Sequence, residues 1–72
     1  MYKETFGSKL KQARMEAGYT QKQIEDILGI KKNSLSRYEN NQREPDIETL
    51  GKLSDFYEVS TDWLIGTKGN NK

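Results

Sequence analysis

Between Lys31 and Arg37 the chain runs KKNSLSR, placing Lys31, Lys32, Asn33, Ser34, Ser36 and Arg37 close together. Asn33 carries one donor and one acceptor in a plane, the pattern that pairs with adenine N6 and N7. Arg37 falls one helical turn further along the same face and offers the fork that pairs with guanine O6 and N7. Lysine ammonium and serine hydroxyl groups suit phosphate oxygens. A purely structural helix needs none of these. Blander roles stand beside each. The lysines can be solvated, Asn33 can cap its own helix because Lys31 has no acceptor, and Arg37 can hold a phosphate or an exposed ion pair. The two lysines break a local rule: at the positive end of a helix a cation costs about 0.3–1 kcal/mol. A phosphate brought to that end reverses the sign, since it meets the backbone N–H groups and the ammonium groups together.

Other chemistries are poorly provided for. Histidine and cysteine are both absent. That removes the commonest general base, the thiol nucleophile and the thiolate and imidazole metal ligands. A Ser-Lys pair would be needed for self-cleavage, and Ser8, Ser34, Ser36, Ser54 and Ser60 show no nucleophile-like turn. The expectation is therefore no catalytic residue, no metal and no cofactor, in a protein that is not an enzyme. No apolar run is long enough to cross a membrane, and no signal peptide stands out, so the expected location is cytoplasmic.

The elements that must position the polar cluster follow from helical periodicity. Ile24, Ile27 and Leu28 recur at i, i+3, i+4, and Ile30, Leu35 and Tyr38 give the next segment an apolar side. Gly29 suits the turn between them because it tolerates positive φ. Two short helices joined through such a turn form the helix-turn-helix unit, whose second helix can lie in the major groove. Upstream, Thr5 is the expected cap of a first helix from Phe6 to Ala17, with Phe6, Leu10, Ala13 and Ala17 inward and Gly18 as its stop. Thr20 caps the second helix. The third runs from about Lys32 to Asn40, with Asn41 as a left-handed stop. After a loop at Gln42–Pro45, Asp46 caps a fourth helix with Ile47, Leu50, Leu53 and Phe56 or Tyr57 inward. Ser60 opens a short fifth helix with Trp63 and Leu64, closed by Gly66. No segment alternates as a strand would. The predicted fold is a compact all-α domain of five short helices over residues 1–66, with 67–72 as a tail or the start of a linker.

With 72 residues there is room for one domain, and one this small is marginal unless well packed. Net charge is only +1, but it is unevenly placed. Residues 1–43 hold nine Lys/Arg against five Asp/Glu, whereas 44–62 hold Lys52 alone against six acids. One face can therefore meet a polyanion while the other does not, although chance unevenness of a solvated surface gives the same split.

These features resemble the lambda-repressor/Cro-like family of XRE-type helix-turn-helix domains, from about Phe6 to Gly66. The resemblance rests on TQxxI…LGI at 20–30, LSRYE at 35–39, Pro45, and IETLGKLSDFYEVSTDWLIG at 47–66. It implies that Lys32, Asn33 and Arg37 point at base edges. It also implies that Gln21 and the segment Asn40 to Arg43, with Gln42, hold phosphates, and that Arg14 and Glu39 form an ion pair tying the first helix to the third. Three departures stand out. Glu25 occupies a position usually held by a small residue, so it either turns outward or holds the two helices slightly apart. Lys31 replaces a capping Ser, and Asn41 replaces a Gly. The function implied is a sequence-specific double-stranded DNA-binding regulator, a repressor of phage or bacterial type that occludes its operator as a dimer. The operator would be an inverted repeat, and the exposed apolar candidates for the homodimer interface are Trp63, Leu64 and Ile65. The rival is a protein-interaction module such as an antitoxin that binds a toxin and autoregulates its operon.

Overall fold

The structure is a computed structural model that describes residues 4–66; the expected tail at 67–72 lies outside the described residues. Five helices follow one another: α1 (Phe6–Ala17), α2 (Gln21–Leu28), α3 (Lys32–Glu39), α4 (Ile47–Tyr57) and α5 (Thr61–Ile65). Among the described residues there is no strand. Helix α1 is the central post, packed against α3, α4 and α5, while α2 packs on α3. Phe6, Leu10, Ile24, Leu35, Leu53 and Leu64 are essentially sealed from solvent. Each contributes roughly 1.5–3 kcal/mol by leaving water.

Capping explains most of the boundaries. Thr20 accepts from Gln23 N–H while the Gln23 side chain accepts from Thr20 N–H, a reciprocal capping box. Asp46 accepts from Thr49 N–H at 2.8 Å and Ser60 from Trp63 N–H at 3.0 Å. The hydrogen bonds from Thr49 hold the Asp46 carboxyl below the usual carboxylate range. The start of α1 departs from expectation. Thr5 has helical backbone angles and makes no side-chain cap. The acceptor comes instead from the far side of the fold: Asn41 Oδ1 takes the N–H of Gly7 at 2.9 Å, and Asn41 Nδ2 donates to the Glu4 carbonyl at 2.6 Å. Gly7 is required there, because a Cβ would overlap the backbone carbonyl of Glu39. The small residue lets the first turn of α1 touch the last turn of α3.

Three residues expected inside are not. Ile47 is 86% exposed, Ile27 is 52% exposed, and Ala17 is also exposed. Each is near the apolar face of its helix, but periodicity gives a direction and not the presence of a neighbour. Ile47 opens α4 one turn before its first buried residue, and Ala17 ends α1. Leu64 errs the other way: named above as an exposed interface candidate, it is completely buried. In a five-residue helix laid on α1 and α4, the inward position is occupied by the residue that must fill the core. Trp63 and Ile65 are half-buried against that core. Lys9 lies over the Trp63 ring, 5.3 Å from its centroid, and donates to the Trp63 carbonyl at 3.1 Å.

Candidate nucleic-acid interface

The eight residues of α3 span about 12 Å and present two unlike sides. Leu35, Tyr38 and Glu39 face inward and are buried. Lys31, Lys32, Asn33, Arg37, Asn40, Gln42 and Arg43 are all exposed, and Ser34 and Ser36 are half-buried. The structure thus brings the predicted polar residues onto the outer side of one helix and the loop that follows it.

The end of α3 is held from three directions. Glu39 Oε2 accepts from Arg14 Nε at 2.8 Å, and Glu39 Oε1 accepts from Arg14 Nη2 at 3.1 Å. Arg14 Nη1 continues to the Tyr19 carbonyl at 2.8 Å. The side chains are 11% and 2% exposed, so this is a buried, bidentate pair. Its hydrogen bonds to Glu39 raise the Arg14 pKa further above its ordinary value, so the guanidinium stays charged. The expected ion pair between α1 and α3 is present. Nearby, burial pushes the Tyr57 phenol up, and its hydroxyl has no hydrogen-bond partner among the described residues.

Gln21 departs from its expected setting. Its Nε2 donates to Glu39 Oε1 at 3.0 Å, so the first residue of α2 joins the same carboxylate. One buried anion therefore ties α1, α2 and α3 together. Only the remaining part of the half-buried Gln21 side chain is left to face a phosphate. The resemblance implied the Arg14–Glu39 pair, but sequence reasoning missed the place of Gln21 in it, because nothing local links position 21 to position 39.

The last turn of α3 closes as expected at a left-handed Asn41, φ 59°. Asn41 N–H donates to the Tyr38 carbonyl and Gln42 N–H to the Arg37 carbonyl, the double closure of a Schellman motif. Asn40 Nδ2 folds back onto the Ser36 carbonyl at 2.9 Å. Within the predicted phosphate-holding segment, the Asn41 amide is already committed to α1, while Asn40, Gln42 and Arg43 remain outward.

The start of α3 resolves the question raised by Glu25. Lys31 occupies the N-cap position and makes no side-chain cap. The side chain that meets the helix start is that of Glu25, whose Oε1 accepts from Lys32 N–H at 3.1 Å. Asn33 is exposed, and it is Lys31 and not Asn33 that stands at the N-cap. Glu25 does turn towards solvent, but its carboxylate is bonded, and α2 and α3 remain packed together.

This arrangement matches known proteins. The Helix-turn-helix family (HTH_3) covers residues 10–64. The chain is 53% identical over 62 residues to the HTH-type transcriptional regulator ImmR of Bacillus subtilis (strain 168), covering 86% of this chain and 49% of that protein. It is 32% identical over 66 residues to the cryptic phage CTXphi transcriptional repressor RstR of Vibrio cholerae, covering 92% and 60% respectively. The chain thus spans about half the length of the curated relatives it matches. Among solved structures, the N-terminal DNA binding domain of SinR from Bacillus subtilis superposes with a TM-score of 0.80 at 32% identity, covering 94% of this chain and all of that one. On the family match and the five-helix architecture that carries it, the chain belongs to the XRE-type helix-turn-helix family.

Proposed function

We propose that this chain is the sequence-specific double-stranded DNA-binding domain of a cytoplasmic transcriptional regulator that acts as a repressor. The observation that carries the reading is α3: its inner side is locked to the core, while Lys32, Asn33 and Arg37 stand exposed on its outer side. In this reading α3 lies in the major groove. Asn33 and Arg37, one turn apart, read base edges. Lys31, Ser34, Ser36, Asn40, Gln42, Arg43 and the exposed part of Gln21 hold phosphates on either side. Names of relatives such as RstR, a repressor, agree with this role.

One recognition helix reads only a few base pairs, too little to single out an operator in a genome. Two copies related by a two-fold axis double the reading and set their recognition helices about 34 Å apart, one turn of DNA. The homodimer would form on an inverted repeat and exclude polymerase by covering the promoter. With Leu64 in the core, Trp63 and Ile65 remain as candidates, a small surface that suits weak association in solution and cooperative association on DNA.

The test is selection of bound duplexes from a random pool, repeated with Asn33→Ala. The wild-type chain should select an inverted repeat with half-site centres about 10–10.5 base pairs apart. Asn33→Ala should cost about 1–3 kcal/mol on that site and relax preference at one or two base pairs. An unchanged preference would remove Asn33 from base readout. Equal affinity for one half-site and for the full repeat, with one chain on each, would remove the dimer.

A further inference from the structure

The helix-turn-helix unit contains one contact that its shape does not demand. From the middle of α2, Glu25 reaches across the turn to the N–H of Lys32, the first residue of α3 and seven positions further on. Lys31, at the N-cap, has no acceptor to offer. Glu25 supplies that acceptor from a neighbouring helix. It also sets a negative charge where the α3 dipole is positive and where Lys31 and Lys32 add two more positive charges.

Two consequences follow, and they oppose each other. The hydrogen bond holds the first turn of α3, which carries Asn33. Without it, that turn frays in the free protein and must be ordered again each time the helix docks on a specific site. A non-specific complex, held by phosphates alone, needs no such ordering. The charge acts differently. A backbone N–H that a phosphate would use is already taken, and the carboxylate repels the phosphate backbone of every duplex alike. We propose that Glu25 is a positioning residue for base readout, one that lowers affinity for DNA in general and raises discrimination among sequences. The inference rests on the DNA-binding reading above.

Two variants separate the bond from the charge. Glu25→Gln keeps the length and an acceptor oxygen but loses the charge. Glu25→Asp keeps the charge but is one methylene shorter and loses the reach. The measurement is binding of the 72-residue chain to its selected operator and to a scrambled duplex, at low and moderate salt. Glu25→Gln should keep the wild-type affinity ratio and tighten both duplexes severalfold at low salt. Glu25→Asp should lower the ratio by on the order of fivefold, the scale of a lost helix cap, with no general tightening. Hydrogen exchange at the Lys32 amide, and at the Leu35 amide that closes the same turn onto the Lys31 carbonyl, should quicken in Glu25→Asp while the amide of Leu10 in the α1 core is unchanged, which separates local fraying from loss of fold. A Glu25→Asp chain with the wild-type ratio overturns this inference alone. So does a Glu25→Gln chain that loses as much discrimination as the Asp variant. A wild-type chain that does not distinguish the two duplexes overturns the DNA-binding reading, and the positioning role with it.

Discussion

The two ends of α3 are built on opposite plans. At its C-terminal end, Glu39 is buried and receives Arg14 and Gln21, Asn41 closes the helix and caps α1, and Gly7 brings the two backbones together. At its N-terminal end, exposed Lys31 and Lys32 crowd the positive pole, and half-buried Glu25 accepts the N–H of Lys32. Rigidity is concentrated where the helix meets the core. The unfavourable charges are concentrated where it faces solvent. In the reading proposed above, where α3 enters a groove in one orientation, this division has a use: the anchored end would fix direction, and the exposed end would turn its cations towards phosphates. Departures from local rules of this kind are expected where function competes with stability.

The sharpest way to break the contrast is at the anchored end. Glu39→Ala strands Arg14 in a buried site without its carboxylate and releases Gln21, and should cost about 3–5 kcal/mol in urea or thermal unfolding. A loss below about 1 kcal/mol would be the behaviour of an exposed pair and would dissolve the distinction between the two ends.

A smaller effect is expected at Asn41, which does two things at once. Asn41→Ala removes the cap on Gly7 and leaves a side chain in the left-handed region, and should cost about 2 kcal/mol. Asn41→Gly removes the same cap but relieves the backbone, and should cost about 1 kcal/mol or less. Equal losses would assign the whole effect to the cap.

The smallest effect, and the one of opposite sign, is expected at the exposed end. Lys31→Ser adds an N-cap acceptor for the second or third N–H of α3, beside the one that Glu25 gives Lys32, and removes a cation from the positive pole, so it should raise stability by about 0.5–1 kcal/mol. The same change should weaken binding to all duplexes nearly uniformly, since a phosphate contact carries no sequence information. A gain in stability with unchanged DNA affinity would make Lys31 a solvated bystander. A loss of stability would mean that the attraction of Lys31 for Glu25 outweighs the added cap.

Local chemistry carried the sequence a long way. The boundaries of α2, α4 and α5 are legible because Thr20, Asp46 and Ser60 act on backbone groups three residues away. The outward set on α3 is legible because polar and apolar residues alternate with the helical period, and that period depends only on the backbone. Three kinds of feature were not legible. Exposure at Ile27 and Ile47, and burial at Leu64, depend on whether another helix is there to meet the side chain. The cap on α1 comes from Asn41 and the cap on α3 from Glu25, partners that lie on other elements. The meeting of Arg14, Gln21 and Glu39 at one buried carboxylate requires three helices to converge. Sequence alone determined which segments are helices and which side of α3 is polar, because those are set by interactions within a turn or two of chain. Only the tertiary structure decided which groups satisfy the helix ends and the buried charge, because a hydrogen bond depends on distances that the fold creates.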